Sequence, residues 1–295
     1  MGDCTRQALL IDAHAHLDRY GDALVEAALE EIAYEGIFTI STSMDLLSYE
    51  RTLALAATCD PILPAFGVHP WNAPAYADRL SDIRQVIERS PLLGEIGLDY
   101  HFVEDASQYA AQRRVFEFFL AAAKEQDKIV NLHTTGAECE VLGLLSRYGI
   151  RRAIVHWFSG SLGTLHAMAE QGVCFTIGVE VLSSSHIQAI ARAVPWEQLL
   201  TETDNPDGLQ WLSGVLGMPL RIREVVETLA ELRNTTSEHI IRTVQENLAR
   251  LMRDDPWLSE TYASLFRQGT GTGGRIQSFR HRPQAVDRWP PARAL

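Results

Sequence analysis

The sequence predicts an α/β fold, a single-domain (β/α)8 barrel of the TIM type, and three observations carry that expectation. Short apolar, often β-branched runs alternate with helix-period stretches almost from end to end. Eight such runs can be counted, and 295 residues suit one large barrel. Alternating β and α units call for a parallel sheet flanked by helices, and eight units allow it to close. An open doubly wound sheet is the structural alternative.

Strands are expected at residues 9–14, 36–42, 62–68, 92–96, 129–133, 153–156, 173–177 and 199–204, each an apolar run closed by a polar residue or glycine. Helices are expected at 22–35, 82–90, 108–126, 137–148 and 164–171. Gly36 and Gly149 serve as helix stops, and Pro61 and Pro91 open strands. Two more helical patterns follow the eighth strand, at 220–233 and 237–253, the second capped at Thr236 or Ser237; then the pattern stops. Residues 1–266 are therefore assigned to the barrel. Residues 267–295, rich in Gly, Pro and Arg, cannot bury enough surface to offset their ordering and are expected to form a flexible tail.

Composition narrows the function. Hydrophobic residues make up 46%, enough for a sizeable core, and the net charge is -12. A surface of that sign excludes a protein that grips duplex nucleic acid on a basic face. Removing the tail's six Arg and one Asp from totals of 26 and 38 leaves 20 basic and 37 acidic residues, or -17 for the body. No apolar run approaches bilayer length and the N-terminus lacks a signal pattern, so a cytoplasmic location without membrane contact is expected. Cys4, Cys59, Cys139 and Cys174 are scattered, without a C-x-x-C pair, and are expected as free thiols.

Polar residues cluster by position. His14 and His16 follow strand one, His69 follows strand three, and Glu95 ends strand four. His133, His156 and Asp204 end strands five, six and eight. In a parallel barrel these ends converge on one mouth, where active sites are built. The H-x-H spacing puts both imidazoles on one strand face. Four His, one Glu and one Asp make an N/O ligand set suited to Zn²⁺, Mn²⁺ or Mg²⁺, and six ligands suit two divalent ions better than one. The absence of cysteine from the set excludes a Cys-rich structural zinc site.

These motifs, IDAHAHLD, GVHPW, GEIGLDY, NLHTTGAE, VHWFSG and TETDNP, occur in an order and spacing that resembles the TatD-like metal-dependent hydrolases, a branch of the amidohydrolase-type barrels. The resemblance covers roughly residues 9–255. It implies that His14, His16 and Asp204 hold one ion, that His133 and His156 hold the other, and that Glu95 bridges them. It places His69 near the substrate rather than on a metal, and it implies phosphodiester hydrolysis, of DNA in particular. Two departures set this chain apart. Thr135 stands where nuclease members usually carry a basic residue, and Trp157 where they often carry Cys. Loss of a guanidinium fork removes a phosphate clamp.

The residues so placed permit a mechanism. Water activated between two cations attacks phosphorus or a carbonyl carbon, with Asp204 as proton acceptor. His69 binds the electrophile's oxygen or protonates the leaving group. Asp12 and Asp99 are expected to support ligand histidines from behind, and Trp71 and Trp157 to flank the mouth and stack on a ring. The expected partner is a small anionic substrate or a DNA end. Cleavage of a C–N or carboxylic ester bond is the enzymatic alternative, and a non-catalytic metal-binding protein is the third. His101, His166, His186, His239 and His281 are expected to be structural or solvated.

Overall fold

The computed structural model describes residues 9–268. Eight parallel strands lie in chain order: β1 (Leu10–Ala15), β2 (Ile37–Thr42), β3 (Ile62–Phe66), β4 (Leu92–Gly97), β5 (Val130–His133), β6 (Ala153–Val155), β7 (Cys174–Ile177) and β8 (Leu199–Thr201). The barrel closes between the last strand and the first. Thr201 Oγ1 donates to the Ile11 carbonyl at 2.6 Å, and Asp204 N donates to the His14 carbonyl at 3.0 Å. Every strand residue is buried. One face of each strand fills the barrel and the other meets the helices, so the runs read as continuously apolar.

Among the described residues, twelve α-helices surround the strands: α1 (Asp22–Glu35), α2 (Leu46–Ala56), α3 (Ala73–Tyr76), α4 (Ser81–Arg89), α5 (Tyr109–Gln126), α6 (Glu138–Tyr148), α7 (Leu162–Glu170), α8 (Ser185–Ala193), α9 (Asp207–Ser213), α10 (Ile222–Leu232), α11 (Ser237–Met252) and α12 (Pro256–Gln268). Their ends follow local chemistry. Asp45 and Ser48 form a capping box at α2, while Ser161, Ser184 and Thr236 cap α7, α8 and α11. Gly36 and Gly149 end α1 and α6 in the left-handed region, as their sequence positions predicted. The long α5 buries Phe116, Phe119 and Leu120, with the Phe119 ring 5.7 Å from that of Phe66 on β3. Helix α11 clamps the seam of the barrel: Asn247 donates to the Leu199 carbonyl at 2.8 Å, and Gln245 to that of Leu9 at 2.6 Å.

The predicted barrel and its extra C-terminal helices are present, with three corrections. Strand β4 runs on to Gly97, so Glu95 lies within it rather than at its end. Strand β8 stops at Thr201, which puts Asp204 in the following loop. The helical pattern also does not stop after 253, because α12 continues through Gln268, two residues into the segment assigned to the tail. Its periodicity is interrupted by polar residues, yet Leu258 and Tyr262 are buried, and Tyr262 meets Phe38 of β2 edge to face at 5.2 Å. The remainder of that segment, residues 269–295, lies outside the described residues, as do Cys4 and His281. Cys139 and Cys174 are free thiols, and Cys59 is buried. Among the described residues, no helix is long and apolar enough to cross a membrane.

Candidate metal centre

The seven polar residues singled out at strand ends meet at the C-terminal mouth of the barrel. Glu95, supplied by β4 and 2% exposed, sits at their centre. One of its oxygens, Oε2, lies 3.1 Å from His16 Nε2 and 3.8 Å from His14 Nε2. The other, Oε1, lies 2.7 Å from His156 Nε2, 2.9 Å from His133 Nδ1 and 3.3 Å from His69 Nε2. Asp204 Oδ1 completes the first side, 3.5 Å from His14 Nε2 and 3.6 Å from His16 Nε2. A single carboxylate thus faces two clusters of imidazole nitrogens, one with each oxygen.

Hydrogen-bond accounting assigns the free nitrogens. Asn131 Oδ1 takes the Nδ1 proton of His14 at 2.9 Å, and its amide donates to the Ala13 carbonyl at 2.8 Å. His14 therefore turns an Nε2 lone pair toward His16 Nε2, 3.2 Å away. Asp99 Oδ2 accepts from His133 Nε2 at 3.2 Å, which leaves Nδ1 of that ring facing His156 Nε2 at 3.3 Å. His69 is the exception. Its Nδ1 accepts the Trp71 backbone N–H at 3.2 Å, so its Nε2 carries the proton and points a donor, not a lone pair, at Glu95.

Burial and charge sort the carboxylates. Burial works to raise Glu95, but the His69 and His156 charges outweigh it and hold Glu95 well below the usual range. Burial also opposes ionisation of Asp99, where hydrogen bonding and charge from His133 win and keep its pKa low. Burial disfavours the charged forms of His16 and His133 as well. Glu95 nevertheless lifts His16 to about 9, and Asp99 with Glu95 lifts His133 to about 9. His14 and His69 go the other way: burial pushes His14 well below its ordinary value and His69 to about 4, so both are neutral near pH 7. Asp12 is raised to about 7 by burial, against hydrogen bonds from Thr203. Burial raises Asp204 to about 6, against the pull of His16 and His156.

Asp99 meets the His133 imidazole, whereas Asp12, expected to support a ligand histidine, bonds no imidazole and meets Thr203 instead. Asp12 accepts from Thr203 N at 2.9 Å and bonds its hydroxyl at 2.5 Å, fixing the turn that carries Asp204. Asp99 shares Oδ2 between His133 and the Trp71 indole N–H, the latter at 2.6 Å. Trp71 and Trp157 line the mouth, and the Trp157 indole donates to Glu180.

Sequence reasoning missed Asn131 and Glu202. Glu202 is fully buried and accepts from Trp157 N at 2.9 Å, while its Oε2 lies 3.7 Å from His156 Nδ1. Burial and the neighbouring Asp204 hold it well above the usual carboxylate range. Asn131 stands two positions before His133 on the same face of β5, and that period was the available signal; Glu202 follows β8 and had no such signal. His101, expected to be structural or solvated, lines the mouth instead. So do Arg19, from the turn after β1, Phe102, from the loop after β4, and Trp211, from the short helix α9.

The residues fit divalent cations. Asp204 Oδ1 is buried without a hydrogen-bond partner, 3.5 Å from the Nε2 of a neutral His14 and 3.6 Å from that of His16, with Glu95 Oε2 beside them. A cation between such donors satisfies them together. Among the described residues, three sets bring donor atoms within 4.8 Å of one another: His14, His16 and Glu95; His14, His156 and Asp204; and His69, Glu95 and His133.

Similarity to known proteins follows the same residues. The family model for TatD related DNases matches residues 11–253. The uncharacterized metal-dependent hydrolase YjjV of Escherichia coli K12 is 31% identical over 252 residues, covering 80% of this chain and 95% of that protein. YabD of Bacillus subtilis, also an uncharacterized metal-dependent hydrolase, is 29% identical and covers 83% and 99%. The crystal structure of E. coli YjjV, a TatD homologue, superposes with a TM-score of 0.76 at 28% identity, covering 83% and 98% of the two chains.

Proposed function

Since the chain belongs to the TatD related DNase family and is thus a metal-dependent hydrolase, we propose that it holds two divalent cations and hydrolyses a phosphodiester. The observation that carries this reading is Glu95, whose two oxygens face separate sets of imidazole nitrogens. His14, His16, Asp204 and Glu95 would hold one ion, and His133, His156 and Glu95 the other. Divalent cations supply such a site with Lewis acidity, acidifying water and offsetting charge on a developing oxyanion.

The chain's own groups do the rest. Water attacks phosphorus, forming the new P–O bond while the ester oxygen leaves with its electron pair. Asp204, raised to about 6, is poised to take the water's proton near neutral pH. His69, neutral and protonated on Nε2, donates a hydrogen bond to a non-bridging oxygen of the substrate; its low pKa leaves no imidazolium near pH 7 to act as acid. The proton for the leaving oxygen therefore comes from water or from Asp204. Asn131 and Asp99 fix the ring orientations of His14 and His133, so no reorganisation is needed during attack.

A second reading, hydrolysis of a neutral carboxylic ester or lactone, is favoured by Thr135 and by Glu180 and Asp207 at the mouth, which oppose a polyanion. A panel of phosphodiester, phosphomonoester, lactone and oligonucleotide substrates with Mn²⁺ separates the two. The purified protein should take up close to two metal equivalents, and Glu95→Ala should abolish both uptake and turnover. A wild-type protein that binds one equivalent or none, and gains no activity with Mn²⁺ or Zn²⁺, overturns the binuclear assignment.

A further inference from the structure

We infer that the mouth selects a singly charged ester bearing a planar aromatic substituent, which seats on a shelf made by Trp71, Phe102 and Trp211. The proposal rests on the phosphodiester reading for the bond cleaved and on separate geometry for the substituent. The segments after β3, β4 and β8 each contribute one ring, the last from helix α9. The rings run in a row, Trp71 meeting Phe102 edge to face with centroids 6.3 Å apart and Phe102 tilted against Trp211 at 5.7 Å, so a planar substituent stacks on one ring face and meets the edge of the next. The row starts at the centre, since the Trp71 ring is 4.6 Å from that of His69. None of the three is absorbed into the core: Trp71 is 41% exposed, Phe102 50% and Trp211 68%. Large aromatic surface left together beside a metal cluster is unfavourable unless something covers it. Trp71 has spent its N–H on Asp99, so its apolar face is what it offers a ligand.

Charge and size define the occupant. Arg19 is the one Lys or Arg lining the cavity among the described residues, and it is paired with Asp207. Glu180 adds a further negative group at the rim. A strand with a phosphate at every sugar would set successive charges against these carboxylates, whereas a lone phosphate at the centre avoids them. The cavity, about 380 Å³, lies in the range that encloses a small ligand. Stacking needs no charge and tolerates any planar ring.

The test uses full-length, Mn²⁺-loaded protein titrated by calorimetry and tryptophan fluorescence. Diphenyl phosphate and diethyl phosphate carry the same single charge and differ in their rings. Diphenyl phosphate should bind about tenfold more tightly, one aromatic stack's worth. The Phe102→Ala/Trp211→Ala double variant should bring the two to near parity, and circular dichroism should show it folded, because both side chains lie on the surface. Equal affinities in the wild type, preference retained in the double variant, or no binding of diphenyl phosphate at millimolar concentration each overturns the proposal. So does tighter binding of tetrathymidylate than of diphenyl phosphate at physiological salt. Because the titration needs no turnover, a shelf that binds aryl phosphates in a protein that hydrolyses none leaves this inference standing while the phosphodiester reading falls.

Discussion

Metal uptake by this site should be coupled to proton release, with an apparent affinity that rises with pH. His16 and His133 carry the coupling: each is lifted from about 6.5 to about 9 by the carboxylates that face it. A group raised on folding stabilises the fold fully below its unfolded pKa, and that contribution fades as pH climbs through the folded value. Each shift is worth about 3 kcal/mol, and the two are not additive because both histidines share Glu95. The metal-free protein should therefore melt at progressively lower temperature between pH 6.5 and 9. Ligation needs a neutral imidazole, so within that window each ion must expel a proton to enter. For a site releasing one proton, affinity rises about tenfold per pH unit, or about 100-fold from pH 7 to 9. Calorimetric titration with Mn²⁺ in two buffers of different ionisation enthalpy counts the protons. A pH-independent affinity with no proton released would refute the protonation states assigned to His16 and His133.

Three further outcomes follow from the same structure. Asp99→Asn keeps the size of the side chain but removes the charge that holds His133 Nε2, so Mn²⁺ affinity should fall about 10–100-fold and one released proton should disappear; unchanged affinity would show that Asp99 serves only Trp71. Gly97 has a φ of 151°, and a Cβ there would meet the His133 carbonyl oxygen, so Gly97→Ala should cost about 2 kcal/mol or more in thermal unfolding and lower metal retention as β5 shifts. Phe119 is fully buried between α5 and Phe66, and Phe119→Ala should cost about 3–5 kcal/mol by urea unfolding; a loss under 1 kcal/mol would mean that the α5 interface is looser than its burial indicates.

The barrel was legible because both of its periods were clean. Runs such as ILPAF and LLGEIG are buried along their whole length, and a parallel sheet covered by helices leaves that trace. The site was legible because parallel strands bring sequence-distant ends to one place, so His14, Glu95, His133 and Asp204 could be grouped without a contact map. Asn131 obeys the same alternation, but an Asn beside an apolar run carries no chemistry until a partner is known, and its partner His14 lies on another strand; Glu202 follows β8 and its partner Trp157 follows β6. The aromatic row had still less to announce it. Phe102, in a loop, and Trp211, on α9, sit 109 positions apart, and their meeting depends on how far α9 reaches over the mouth. For α12 the difficulty was its polar interruptions, which hid the two positions that pack, Leu258 and Tyr262.

The electrostatics of the mouth give the acidic chain a use. Four buried carboxylates and the partly exposed Asp204 surround the histidines, and they are not equivalent. Glu95 and Asp99 are held well down, whereas Glu202 and Asp12 are held up, and Asp204 stands between. Burial alone would have raised all five, so the split reflects which of them an imidazole faces. The centre thus spends its full negative charge only where a cation is to be held, which keeps the desolvation cost of the rest low. On the proposed reading, two divalent ions would bring four positive charges to Glu95 and Asp204 and leave a net positive point in a body whose remaining groups sum to -15. Field lines from such a point would be confined by the acidic surround, drawing a small anion to the centre while a long polyanion would meet repulsion along most of its length. On that reading charge would make the same selection as the aromatic row: one phosphate at the centre, and a ring rather than a second phosphate beside it.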